Sequence, residues 1–389
     1  MTKSLVLDVE TTTYEKGNAF SQRNKLCYYG ALQQGKTLVL GDASIGTDVR
    51  RLIEAADECI GFNFKFDLHW LRREGVVDSV RRVWDCQVAH FLLTGQREVF
   101  PSLDEVCIHY GIEGKLPDIK EKYWSKGIDT PDIPPAEMLA YLEQDLRATW
   151  AVYLKQKKEF ESRPKLYNLF RLNMQDLLVL EEMEWNGLKF NIDKSIVEAN
   201  KIKERLSEIE GHLCKRYPNT PINWDSGDHV SAYLYGGIIS IDRKEPVGLF
   251  KTGAKVGEVR YRHVEDRHVL TRLVEPLEGS ELKKADKDKG TGPWAISDEV
   301  LKQVKQIEEV KLLLERAKLT KLLDYFSGWP DLISQKDWTH GMLHGQFNQV
   351  RARTGRLSSS APNLQNMPDP VLQLIESRFS QAQGATACA

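Results

Sequence analysis

Asp8 and Glu10 stand two residues apart in the segment Ser4-Leu5-Val6-Leu7-Asp8-Val9-Glu10. The pattern alternates as a β-strand does, so the two carboxylates project from one face. Carboxylates placed side by side in this way bind a hard divalent cation such as Mg²⁺. Taken alone, D-x-E also describes a solvated strand face. Two further acids extend the pattern. Asn63-Phe64-Lys65-Phe66-Asp67 follows an apolar run at 58–63 that reads as a buried strand, which puts Asp67 at a strand-to-helix junction. Tyr141 and Asp145 lie four residues apart in a long helical stretch and so face the same side. By itself that spacing also fits a pair on a wet helix face.

In chain order the set reads D-x-E, N-x-x-F-D and Y-x-x-x-D. It resembles the three exonuclease motifs of the DEDD superfamily in its tyrosine subclass. A histidine-subclass member would carry His five residues before the last Asp, where this chain has Ala140. The resemblance implies a ribonuclease H-like fold and 3′→5′ hydrolysis of a single-stranded DNA end. It also implies two Mg²⁺ ions, with Mn²⁺ as a substitute, about 3.5–4 Å apart at the scissile phosphate. By this likeness Asp8, Glu10 and Asp145 hold the ion that activates water, and Asp8 bridges to the second ion with help from Asp67. Tyr141 orients the attacking water. Asn63 supports the site or touches the substrate strand, and Tyr14 stacks on a frayed terminal base or packs on the surface.

Bulk composition excludes several classes. The chain has 389 residues, with 54 Lys plus Arg against 56 Asp plus Glu and a net charge of −2, so a polyanion site must be a local cluster. Hydrophobic residues make up 41% and charged residues 28%, the balance of a globular protein with a substantial core. Cysteines at 27, 59, 86, 107, 214 and 388 form no C-x-x-C pair and read as reduced thiols of a cytoplasmic protein. The start, MTKSLVLDVETT, is no signal peptide, and no apolar run approaches the roughly 20 residues of a membrane span.

The elements that must position these residues are legible in outline. After the first strand, 26–33 and 37–40 predict a β-hairpin. Helices are expected at 47–57, 66–74 and 85–94, with a strand at 58–63. Pro134-Pro135 opens a long helix over 136–160, since proline is tolerated only in a first turn. An α/β domain is therefore expected over 1–160, a mixed sheet with helices. Helices at 165–185 and 193–215 flank a glycine turn and short strand at 184–191. Residues 240–292 are charged and glycine-rich and are expected to be an exposed, partly ordered insertion. From Ser297, an N-cap, the stripe Val300, Val304, Ile307, Val310, Leu314 and Ala317 predicts one long amphipathic helix. Beyond Pro330 the chain reads as strands and loops.

The segment 347–368, FNQVRARTGRLSSSAPNLQNMP, carries arginines at 351, 353 and 356 with no acid among them, and several amides. Such residues suit phosphate and minor-groove contacts. TGRLSSSAPNLQNMP closely resembles the signature just upstream of catalytic motif A in family A DNA polymerases. The likeness implies that Arg356 touches the minor groove near the primer terminus and that Asn363, Gln365 and Asn366 contact template or primer. LLLERAKLTKLL (312–323) resembles the thumb helix of that family, and LEEMEWNGLKFN (180–191) the opening of its polymerase domain. The expected order is then an exonuclease domain (1–160), the start of the polymerase domain with a mainly helical thumb (161–335), and a partial α+β palm (336–389). No residues matching motif A, the fingers or motif C follow. Polymerisation is thus not expected from this chain alone, and its partners would be primer-template duplex and a separate or downstream palm-fingers half. A processivity partner is a further expectation at 240–292. The short N-terminus suggests a bacteriophage type acting in the host bacterial cytoplasm. The alternative is a non-catalytic primer-template-binding half of a split polymerase.

Overall fold

A computed structural model of the chain describes residues 3–112, 119–253, 255–276 and 294–376. Its contacts divide it into two compact units, Met1–Ser195 together with Gly328–Ala389, and Ile196–Ser327.

The first unit is built on a five-stranded sheet of order β3-β2-β1-β4-β5. Its strands are β1 (Ser4–Thr11), β2 (Leu26–Gln33), β3 (Lys36–Asp42), β4 (Glu58–Gly61) and β5 (Val83–Asp85). β1–β2 and β2–β3 pair antiparallel, whereas β1–β4 and β4–β5 pair parallel, with α1 (Gly46–Ala55) and α2 (Lys65–Arg73) in the connections. The central strand β1 is covered on both faces over Leu5, Val6 and Leu7, and its alternation becomes visible only where Asp8 and Glu10 emerge half-buried. Two more helices follow, α3 (Cys86–Leu93) and α4 (Leu103–Tyr110). The Asp85 side chain caps α3 through the Gln87 and Val88 amides, and a Ser102–Glu105 capping box starts α4. After the short α5 (Ile119–Lys122), α6 (Pro135–Glu161) opens with proline in its first turn as the sequence requires. It crosses the sheet at Gly30, where an added Cβ would come within 2.7 Å of Leu146 Cδ1. A side chain at position 30 would push against Leu142 and Leu146, so glycine eases the approach of this helix to β2.

α7 (Pro164–Asn186) packs against α2, α3 and α6. Buried Trp84 joins the layers, its ring 4.9 Å from Tyr153 on α6 and 4.5 Å from Phe170 on α7. β6 (Leu188–Phe190) and α8 (Ile192–Cys214) follow.

The second unit gathers α9 (Gly227–Tyr235), the hairpin β7 (Gly237–Leu249) and β8 (Val259–Leu270), α10 (Asp298–Leu301) and α11 (Glu308–Phe326). Its core centres on Tyr233, Leu234, Val310 and Leu313. Two expectations are corrected here. The partly ordered insertion is, over 237–270, a regular antiparallel hairpin. Opposite charges pair across it, with Arg243 Nε 3.1 Å from Asp266 and Arg262 Nη2 3.0 Å from Glu245, so a charge-rich stretch forms a sheet of its own. The charged end LKKADKDKGTG (282–292) lies outside the described residues. The single long helix from Ser297 is two: Ser297 caps only α10, and α11 begins after Ile307, whose backbone is extended. Leu301 and Val310, on either side of the break, are buried in the same core, so the apolar spacing survives a turn that its periodicity does not reveal.

Past α12 (Gly328–Gln335), β9 (Met342–Leu343) pairs with β6 in the first unit, which pairs in turn with the strand at Ile375–Glu376. β10 (Gln346–Asn348) pairs with β11 (Ser358–Ser360), the end of the TGRLSSS segment. Residues 377–389 lie outside the described residues. Among the described residues no helix is long and apolar enough to cross a membrane.

Candidate active site

β1 delivers two carboxylates and α6 a third to the same face of the sheet. Asp8 is in register with Gly30 and Glu10 with Tyr28. Register partners share a face, and Gly30 turns toward Leu142 and Leu146 of α6. Asp8 and Glu10 therefore face the helix that carries Tyr141 and Asp145. Tyr141 makes a side-chain hydrogen bond with Asp145, and its phenol feels the charges of Asp145, Glu10 and Asp8. Burial and those charges raise its pKa far above the ordinary value, so the hydroxyl stays protonated.

Asp67 is brought to β1 by α2. Its Oδ1 accepts the Val9 amide at 3.0 Å, and the side chain is only 2% exposed. Burial, then the charge of Asp8, raise its pKa well above the ordinary 3.8, against the pull of the Val9 hydrogen bond. The charge of Asp8 thus reaches Asp67 on one hand and Tyr141 on the other, and Tyr141 also feels Glu10 and Asp145. An all-oxygen donor set of negative groups, crowded enough to raise a member's pKa, suits hard divalent cations.

Stability against pH follows from Asp67. Its folded pKa lies above its unfolded one, so its favourable contribution is complete below about pH 3.8 and falls as pH rises toward the folded value. In chelator, Asp67→Asn should raise the Tm at pH 7.5 by about 2–4 °C and leave it unchanged at acid pH, as calorimetry on both proteins would read.

The other expected site residues have the following surroundings. Asn63 is exposed at the β4–α2 junction with φ 53, a left-handed conformation that asparagine tolerates. The Tyr14 hydroxyl donates to the Gln335 carbonyl at 2.8 Å and accepts from Arg23, whose guanidinium lies over the ring. In the C-terminal block the Gln365 side chain braces its own loop, accepting from the Ser359 amide and donating to the Leu357 carbonyl. Asn363 Oδ1 accepts the Gln365 amide. Arg356, Asn363 and Asn366 are exposed, and Arg351, Arg353 and Arg356 form no ion pair among the described residues.

Two supporting residues escaped the sequence reading. Asp85 is 2% exposed and accepts the amides of Phe64 and Asn63 as well as those starting α3, so one carboxylate fixes the junction that aims Asp67. Its position before an apolar helix signals an N-cap, but not this reach to the preceding strand. Asn24, fully buried, donates to the Tyr14 and Asn18 carbonyls and accepts from Thr12, tying down the loop after β1.

Comparison with known proteins fits this geometry. Residues 2–161 match the family of 3′-5′ exonuclease domains, and residues 266–386 match DNA polymerase family A. Two stretches of the chain are thus similar, in chain order, to a 3′-5′ exonuclease and to a family A DNA polymerase. DNA polymerase I of Chloroflexus aurantiacus is 25% identical over 315 residues, 79% of this chain and 28% of that protein. The thermostable DNA polymerase I of Thermus aquaticus is 40% identical over 211 residues, 53% of this chain and 20% of that protein. The chain thus spans under a third of the length of either relative. The polymerase domain of Pol1 from M. smegmatis, solved with a DNA primer-template and dNTP, shares the fold with a TM-score of 0.66 at 15% identity, covering 96% of this chain and 55% of that one. The stretch matched to the exonuclease family contains all of Asp8, Glu10, Asp67, Tyr141 and Asp145.

Proposed function

We propose that this chain removes nucleotides from the 3′ ends of single-stranded DNA, the proofreading half of a replicative polymerase, with Asp8, Glu10, Asp67 and Asp145 as ligands for two Mg²⁺ ions. The observation that carries the reading is the shared face of β1 and α6, which brings acids from distant parts of the chain into one electrostatic cluster. In this reading the domain is ribonuclease H-like and of the DEDD tyrosine subclass. The segment around α11 is the thumb, and the β6–β9 and β10–β11 region is the start of the palm.

The ions supply Lewis acidity and a water of lowered pKa. Asp8, Glu10 and Asp145 hold the charge balance on the α6 side, and Asp67 holds it from α2. Tyr141, protonated and donating to Asp145, keeps lone pairs free to accept a hydrogen from the attacking water. It is therefore a positioning group and not a base. The exposed arginines at 351, 353 and 356 suit duplex phosphates, and the partner implied is primer-template DNA with the remaining palm and fingers supplied downstream or by a separate chain.

The test is a 5′-labelled single strand. A ladder shortening from the 3′ end in Mg²⁺ and arrested by chelator is expected, whereas no digestion, or digestion unaffected by chelator, would refute the reading. Tyr141→Phe should lower kcat by about 10²-fold with little change in KM, the scale of one lost hydrogen bond to the reacting centre.

A further inference from the structure

Away from the acid cluster, three other side chains bring metal-binding atoms together. His90 lies on α3, Glu98 on the link after it and His109 on α4. An imidazole nitrogen of each histidine and a carboxylate oxygen of Glu98 all lie within 4.8 Å of one another, and no other such trio occurs among the described residues. His90 Nε2 is 2.6 Å from one Glu98 oxygen and His109 Nδ1 is 3.9 Å from the other, so one carboxylate stands between two imidazoles. The rings are 4.7 Å apart.

The local fold holds this arrangement. Asp85 and Ser102 cap the two helices, and the link turns back through Gln96 and Phe100, both at positive φ. His90 is 0% exposed and its Nδ1 has no hydrogen-bond partner. Glu98 and His109 are 45% and 40% exposed, so the cluster is anchored inside and open to solvent on one side.

We propose that His90, Glu98 and His109 form a binding site for a transition-metal ion of the zinc class, distinct from the acid cluster. Two imidazoles and one carboxylate suit Zn²⁺ or Co²⁺, and the open side leaves a place for water. Mg²⁺ prefers an all-oxygen set, so the two sites select different ions. The ion ties α3, the link and α4 together and takes no part in hydrolysis.

The test titrates the full chain with Co²⁺ in excess Mg²⁺ and reads visible d–d absorption, with Zn²⁺ as competitor. One Co²⁺ per chain, displaced by Zn²⁺, is expected, together with a Tm rise of about 2–4 °C on Zn²⁺ saturation. His109→Gln and Glu98→Gln should each weaken binding by at least about 10-fold while keeping Mg²⁺-dependent nuclease activity, and Asp8→Asn should bind Co²⁺ as the parent does. Should either of the two surface variants fail to fold, the other carries the comparison. Absence of uptake, wild-type uptake by both surface variants, or uptake lost only in Asp8→Asn would overturn the site. The last outcome would move the ion to the acid cluster, and a failure of the nuclease reading would leave the Co²⁺ result untouched.

Discussion

Asp8→Asn is expected to lower 3′-end hydrolysis by about 10³-fold or more while leaving the protein at least as stable as the parent. The two effects have one cause. Asp8 is the acid whose charge reaches both Asp67 and Tyr141, so it sits at the centre of the cluster. Removing its charge takes away a ligand that two cations would share, and also relieves repulsion on a buried neighbour. A variant that merely misfolds would lose activity and melting temperature together. Glu143→Gln is the matched control: Glu143 is on the same helix, but pairs with Arg147 at 2.7 Å and with Thr37. It should leave hydrolysis unchanged. Exonuclease assays and thermal melts on the three proteins give the comparison, and full activity in Asp8→Asn would remove the basis of the metal assignment.

The largest stability effect is expected at Glu184. Its side chain is 1% exposed and lies 2.5 Å from Lys65 Nζ on α2, and it also accepts the Phe347 amide. Lys65 donates in turn to the Phe347 carbonyl. His69 Nε2 lies 3.3 Å from the same carboxylate, but burial and neighbouring cations push its pKa down to about 3, so the imidazole is neutral and Lys65 supplies the positive charge. Burial raises the pKa of Glu184 and Lys65 opposes the rise. One turn away Arg72 grips buried Glu181 through two nitrogens, at 2.8 and 2.7 Å. Glu184→Ala leaves the Lys65 ammonium and the Phe347 amide without their acceptor in a dry site, at a cost of about 3–5 kcal/mol, or roughly 6–15 °C in Tm. Pairing Glu184→Gln with Lys65→Met removes both charges and should recover most of that loss, because a buried pair deleted whole costs far less than one broken in half. A double variant as unstable as Glu184→Ala would show that the charge pair is not the source. Since Lys65 starts the helix that carries Asp67, hydrolysis should fall with stability in the single variant and return in the double.

What the sequence reveals and what it withholds divide along sequence distance. The common face of Asp8 and Glu10 follows from period two, the pairing of Tyr141 with Asp145 from helical spacing, and the start of α6 from Pro135. Each is a local property of the backbone. Their convergence is not local. It depends on Gly30 standing opposite Asp8, so that α6 can descend on the sheet, and nothing in a Tyr-Gly-Ala triplet within a strand announces a helix from 110 residues later. Asp85 is readable as a cap, whereas its grip on Asn63 and Phe64 requires β4 and β5 to be neighbours. The link between Lys65 and Glu184 joins residues 119 apart. The hairpin at 237–270 was hidden for another reason: its charges mask β-branched and aromatic residues such as Val259, Tyr261 and Val264, and only pairing across the turn makes opposite charges neighbours.

A Mn²⁺-soaked crystal examined by anomalous diffraction bears most directly on the convergence of the acids. Two peaks among Asp8, Glu10, Asp67 and Asp145, with every one of these carboxylates in contact with at least one ion, are expected. Acids turned to separate pockets with no shared ion between them would contradict it.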